Sequence, residues 1–191
     1  CETSHPGNIG AAARAMKTMG LTQLHLVRPA RFPDDEAEWR AAHAVDVLQQ
    51  ATVHESLAHA LNGVAFAVAS SARPREVAVD AVDAREAAAR VIEVAQAQTA
   101  AVVFGNETNG LTTAAANTCQ LLASIPANPE YPSLNLASAV QVLAYELRMC
   151  AIGAPPSARA ELAPHEQLES FYAYLEQVVN EAGFLDPEHP R

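Results

Sequence analysis

The 191-residue chain has only three cysteines and one lysine. Cys1, Cys119 and Cys150 lie far apart, with no C-x-x-C spacing. An odd, scattered set excludes a disulfide framework and a zinc ribbon, and reads as buried or surface thiols in a reducing cytosol. Lysine is confined to Lys17, and the formal net charge is −10. That balance speaks against a nucleic-acid partner, because phosphate binding rests on lysine and arginine. Apolar runs stay short of a membrane span, so a soluble protein is expected. No signal-peptide pattern opens the chain, and nothing repeats at a fixed period.

Familiar cofactor and catalytic signatures are missing too. There is no G-x-G-x-x-G after a strand and no G-x-x-x-x-G-K-[ST], which removes the usual support for dinucleotide or P-loop nucleotide binding. H-E-x-x-H and G-x-S-x-G are also missing. The histidines are dispersed, as suits surface or capping residues better than metal ligands, and no metal is expected.

What is present reads as one globular domain. Half the residues are hydrophobic and 18% are charged, enough to bury a core at this length. Residues 8–19 carry Ile9, Ala12, Ala13, Met16 and Met19 at helical spacing, closed by Gly20. Residues 21–27 read as a strand, and residues 39–50 as a helix after an acidic turn. Ser56 is placed to cap a short helix ending at Asn62-Gly63, before a strand at 64–69. Asp83-Ala-Arg-Glu86 has capping-box spacing and opens a helix to about Ala97. Strands follow at 100–104 and 121–125, with a helix from about Thr112 between them. A long helix from Ser133 carries Leu136, Val140, Leu143 and Leu147 on one stripe. Residues 153–165 read as a linker, and a last amphipathic helix spans 166–182. Strands alternating with helices predict an α/β fold, with a mostly parallel sheet covered on both faces.

Three strand-to-helix junctions stand out, because open α/β sheets bind ligands at the carboxyl ends of their strands. Thr3-Ser-His-Pro-Gly-Asn8 leads into a helix that Asn8 could cap, with Arg14 on its second turn. Phe104-Gly-Asn-Glu-Thr-Asn-Gly-Leu111 places the Glu107 carboxylate between Gly105 and Gly110. Ile125-Pro-Ala-Asn-Pro-Glu-Tyr-Pro-Ser-Leu-Asn135 is stiffened by Pro126, Pro129 and Pro132, and delivers Ser133, as N-cap, and Asn135 to a helix start. Each loop alone also reads as ordinary capped structure. Their order and spacing together are specific.

Asn8-x-Gly10-x-x-x-Arg14, Phe104-Gly-Asn-Glu107-x-x-Gly110-Leu111 and Ser133-Leu-Asn135-Leu-Ala-x-Ala139-Val140 resemble the three motifs of the SpoU branch of the SPOUT methyltransferases. The flanks Glu2-Thr-Ser-His-Pro-Gly-Asn8, Ser71-Ala-Arg73 and Ala127-Asn-Pro-Glu-Tyr131 are similar to members that methylate the ribose of cytidine or uridine 32 in the tRNA anticodon loop. The resemblance covers about residues 1–150, and continues loosely into the last helix.

The resemblance implies a deep trefoil knot in the C-terminal part of the fold, a cytoplasmic homodimer and transfer of a methyl group from S-adenosylmethionine to a 2′-hydroxyl of tRNA. It implies a catalytic domain over residues 1–152, then the linker, then a helix at 166–191 leading into an extension that helps hold tRNA. Without that extension the chain is expected to bind cofactor but to bind tRNA poorly. A few residues are likewise expected ahead of Cys1-Glu-Thr-Ser, which reads as a strand end. The cofactor is expected against Ser70, Ser71, Ala72, Gly105, Ile125, Pro132, Ser133 and Leu134. A methyl sulfonium is already activated, so the remaining work is positioning. The catalytic set is Arg14, Glu107, Ser133 and Asn135. A guanidinium is a permanent cation. Arg14 therefore reads as the group that stabilises the developing alkoxide and holds a phosphate, with the proton leaving to phosphate or water. Ser133 and Asn135 orient ribose or cofactor, and Glu107 orders the second loop. Asn8, Arg14, Lys17, Arg28 and Arg73 are the expected RNA contacts. A local basic face of Arg14, Lys17, Arg28, Arg31, Arg73 and Arg75 would answer the acidic net charge.

Alternatives are a methyltransferase for ribosomal RNA or another tRNA position, a catalytically silent RNA-binding relative, and an ordinary nucleotide-binding domain, which lacks its phosphate loop.

Overall fold

A computed structural model describes residues 1–72, 80–153 and 163–184. Among the described residues six short strands alternate with helices, and every pairing between these strands is parallel. β1 (His25–Val27) pairs with β2 (Thr52–His54). The other four form a sheet in the order β4 (Ala81–Asp83), β6 (Leu121–Ser124), β3 (Phe66–Ser70), β5 (Ala100–Val103). The single sheet expected from the alternation is therefore two sheets. The three-residue strands β2 and β4 carry too few residues to show a period.

Helices cover both faces of the larger sheet, as expected. Alternation along β3 shows why: Val68 packs with α5 (Ala84–Ala95) and α7 (Leu136–Gly153). Its neighbours Ala67 and Ala69 pack on the other side with Leu61 and Ala116. The smaller sheet is covered by α1 (Pro6–Thr18), α2 (Asp35–Ala41) and α3 (Val45–Gln49) through Ile9, Ala13, Leu26, Ala37 and Val47. A Cβ on Gly10 would overlap the Ala37 carbonyl, so the absent side chain lets α1 and α2 touch backbone to backbone.

The helix expected over residues 39–50 is α2, a 3₁₀ turn at Ala42–Ala44, and α3. Asp34 starts it early by accepting from Glu36 N at 3.0 Å, and a left-handed Ala42 (φ 50°) breaks it. Ser56 caps α4 (Leu57–Ala60), Asp83 caps α5 and Thr112 caps α6 (Thr113–Asn117), each accepting a backbone N–H near the helix start. Gly20 (φ 81°) follows α1, where only glycine takes the left-handed turn without strain.

Two further expectations change. α7 is 18 residues long and apolar enough by length and composition to cross a membrane, which the reading of short apolar runs did not foresee. Its stripe of Val140, Leu143, Ala144 and Leu147 is spent on the core, and Glu146 and Arg148 interrupt its other side. α8 (His165–Glu181) packs lightly: its buried His165 donates its backbone N–H to Val64 O at 2.9 Å, and Glu166 accepts from Gly63 N. Most of the expected linker, and residues 185–191 of the expected terminal segment, lie outside the described residues.

Candidate active site

The loop after β5 folds on itself. Asn106 Oδ1 accepts from Thr108 N (3.1 Å) and Asn109 N (2.7 Å), and Gly110 N donates to Asn106 O at 3.0 Å. Gly110 closes the turn at φ 68°. A Cβ on Gly105 would overlap the backbone of Gly110 and Leu111, so the loop closes only over a glycine.

This closed turn presents Glu107 to the first loop rather than to its own. Glu107 Oε2 accepts from Ser4 N (3.0 Å) and Ser4 Oγ (2.9 Å). Oε1 accepts from Asn8 Nδ2 (2.9 Å) and His5 N (3.3 Å). Asn106, not Glu107, orders the second loop, which corrects the role expected for the carboxylate. The physical reason is that the side-chain carbonyl of Asn106 sits within reach of the backbone N–H groups of Thr108 and Asn109, leaving Glu107 free to point away. Burial opposes ionisation of Glu107, but the hydrogen bonds from Asn8 and Ser4 outweigh it and hold its carboxyl down at about 2.

Asn8 carries the connection onward. Its Oδ1 accepts from Asn135 Nδ2 at 3.0 Å, so Glu107, Asn8 and Asn135 form one chain of hydrogen bonds across all three loops, charge-assisted at its Glu107 end. Asn8 is therefore not the cap of α1. His5 holds that position without a side-chain bond, Pro6 opens the helix, and Asn8 lies in the first turn. Ser133 is likewise not the cap of α7. Asn135 takes that place, its Oδ1 accepting from Ala137 N at 2.9 Å while Ala139 N donates to its carbonyl. Ser133, Leu134 and Pro132 lie exposed in the preceding loop.

The expected cofactor wall gathers at one edge. Ser70 ends β3 and Ser71 follows it, its N–H bonded to Ala123 O at 2.9 Å. Gly105 follows β5, and Ile125 follows β6. β3 lies between β5 and β6, so these residues share the carboxyl ends of three adjacent strands. Ala72 stands just beyond, exposed. Backbone groups, two serine hydroxyls and one aliphatic side chain suit a neutral nucleoside better than a phosphate.

Most of the cations expected to form a basic face are paired with acids among the described residues. Lys17 Nζ is bound to Asp46 Oδ1 and His43 O, both at 2.8 Å. Arg28 is paired with Glu2, and Arg31 lies 3.7 Å from Asp34 and 3.9 Å from Glu36. Each of these cations has an acidic partner, in keeping with 22 acidic against 12 basic residues. Arg73 and Arg75 lie outside the described residues. Arg14, exposed on α1, has no hydrogen bond or ion pair to its guanidinium among the described residues. It is left available to an anion.

Sequence reasoning missed the backbone of Ser4 and His5 as the grip on Glu107. The partners are 102 and 103 residues apart, and no local spacing signals such a contact.

The chain belongs to the SpoU rRNA methylase family, whose pattern matches residues 1–145. It is 46% identical over 202 residues to the tRNA (cytidine/uridine/adenosine-2′-O-)-methyltransferase TrmJ of Pseudomonas aeruginosa, covering 99% of this chain and 79% of that protein. Among solved structures, TrmJ from Z. mobilis superposes with a TM-score of 0.83 at 35% identity, over 97% of this chain and 80% of the other. An AdoMet-bound rRNA methyltransferase from Sinorhizobium meliloti superposes with a TM-score of 0.56 at 25% identity, over 78% and 53%.

Proposed function

We propose that this chain transfers a methyl group from S-adenosylmethionine to a ribose 2′-hydroxyl of tRNA, at cytidine or uridine 32 of the anticodon loop. The observation that carries the reading is the Glu107–Asn8–Asn135 chain, which ties the three family motifs into one site at the carboxyl edge of the sheet. Near-full-length similarity to TrmJ supports tRNA over ribosomal RNA.

The residues divide the work. Ser70, Ser71, Gly105 and Ile125 hold the cofactor's nucleoside, and the exposed loop of Pro132, Ser133 and Leu134 closes over it. The cofactor, when bound, supplies an already activated methyl group. Asn135 and Ser133 orient the ribose. Arg14 stabilises the negative charge that develops on the 2′-oxygen, and the hydroxyl proton leaves to phosphate or water. Glu107 touches no reacting atom. It fixes the loop that carries α1, and so aims Arg14.

The reading extends to the assembly. β6 enters between β3 and β4, both earlier in the chain, which supports the knotted connection of the family. Tyr145, Met149 and Ile152 form an exposed apolar stripe on α7, with exposed Tyr131 and Leu134 in the preceding loop, and these support a homodimer. The setting proposed is the bacterial cytoplasm.

Calorimetric titration with S-adenosylmethionine tests the cofactor assignment. Saturable binding that is lost in Gly105→Val is expected. Equal binding by that variant, with its fold intact by circular dichroism, would overturn the placement at Gly105.

A further inference from the structure

The seam between α1 and α2 carries an aromatic ring and a cation that the proposed chemistry does not use. Gly7, Gly10, Arg14 and Lys17 are three or four positions apart, so they share one face of α1. That face is turned to α2 and the turn that follows it. A Cβ on Gly7 would stand 3.6 Å from Arg40 Cγ, one on Gly10 would overlap the Ala37 carbonyl, and Lys17 Nζ reaches His43 O. Arg40 therefore lies over the first turn of α1, beside Asn8 and on the face that bears Arg14.

Arg40 Cζ sits over the ring of Trp39, 5.2 Å from its centroid. Trp39 is 76% exposed, so the indole keeps open surface beyond that contact. Among the described residues the Arg40 guanidinium has no hydrogen bond or ion pair, and its N–H donors are open as those of Arg14 are. The acids of α2 lie in its first turn, where Glu36 stands 3.7 Å from His5 Nδ1 and 3.9 Å from Arg31, while Arg40 is in its last.

We infer that Trp39 and Arg40 form a stacking platform for an unpaired nucleobase of the RNA substrate, a contact that rests on the tRNA reading above. The base lies on the indole, and the Arg40 guanidinium turns its free donors to a phosphate of the same strand. Roughly 10 Å of helix separates Gly7 from Arg14, so this base is a neighbour of the methylated nucleotide and not that nucleotide itself. Two open cations on one seam suit a phosphate strand better than a protein surface. Stacking also supplies affinity without net positive charge, which fits an RNA-binding chain whose net charge is −10.

Trp39 is the chain's single tryptophan, so its fluorescence reports on this platform alone. Unmodified tRNA and inorganic polyphosphate are titrated into the chain, with binding of labelled tRNA followed in parallel by anisotropy. The tRNA is expected to quench Trp39 saturably along its binding curve, and polyphosphate to leave the emission unchanged. Trp39→Ala should weaken tRNA binding by about tenfold, and Trp39→Tyr should restore most of it, because the stacked ring supplies the affinity. Arg40→Gln should weaken binding less and flatten its salt dependence. Both side chains are exposed, so each variant should keep the parent Tm. Binding of tRNA without quenching, or parent affinity in Trp39→Ala, would overturn the inference and leave the methyl-transfer reading standing. Emission that shifts with protein concentration and not with tRNA would assign the platform to a protein contact, and so overturn it too. A parent chain that binds no tRNA would overturn this inference and the tRNA reading together, with S-adenosylmethionine titration still reporting on the cofactor site.

Discussion

Asn8 donates its side-chain amide to Glu107 at 2.9 Å, across 99 residues of sequence. The same amide's oxygen accepts from Asn135, so one asparagine in the first turn of α1 holds the other two loops in register. A variant that breaks this pair is expected to disturb the position of Arg14, six residues further along α1, without touching it.

Glu107→Gln replaces an acceptor of four bonds with a group offering one acceptor oxygen and an N–H₂ facing other donors. Hydrogen bonds to a charged group are worth about 1.5–3 kcal/mol in favourable settings. Exposure of this carboxylate reduces that, so a loss of about 1–2 kcal/mol and a Tm lower by several degrees are expected. Thermal unfolding measures it. An unchanged Tm would show that the first loop holds itself.

Asn8→Asp keeps the shape but sets a carboxylate against Glu107. Cofactor binding should weaken and α1 should loosen, with faster amide exchange at Ser4 and His5, whose N–H groups Glu107 now holds. Exchange as slow as in the parent would contradict the relay.

Acid should act on two groups with lowered values. Glu107 sits at about 2 against an ordinary 4.5. Its stabilising contribution is fully present above about 4.5 and is lost as pH falls through about 2. His54 is lowered by burial first, then by His25 and His59 nearby. It stacks on His25 with ring centroids 5.1 Å apart. The folded state therefore resists protonating it, and its contribution is present above 6.5 and declines as pH falls below that value. His54→Gln should flatten the decline in Tm below pH 6.5, while Glu107→Gln should flatten only the more acidic limb.

Gly10→Ala should destabilise by about 1–3 kcal/mol, because its Cβ would meet the Ala37 carbonyl, a backbone atom that cannot swing aside. Denaturant unfolding checks this. A neutral result would mean that α1 and α2 separate at little cost.

Much of this architecture was legible in the sequence. The helix ends at Ser56, Asp83, Thr112 and Gly20 announce themselves through residues whose chemistry acts within three or four positions. The three functional loops were legible for the same reason, since each lies between a strand and a helix. Contacts set by chain distance were not. Nothing near Glu107 says that its partners are Ser4 and Asn8, and nothing near Lys17 says that Asp46 takes its charge. β2 and β4, at three residues each, fall below the length at which alternation shows.

The account turns on Arg14 as the cation at the developing 2′-oxygen, and nucleoside mass spectrometry tests it most directly. Unmodified tRNA is incubated with S-adenosylmethionine and the chain, with enzyme in excess over tRNA. Ribose-methylated cytidine or uridine mapped to position 32 is the expected product. Arg14→Ala should form it roughly 10²–10³-fold more slowly while binding cofactor as tightly as the parent. Parent-level turnover by Arg14→Ala, or cofactor binding with no ribose methylation of tRNA by the parent chain, would contradict the account.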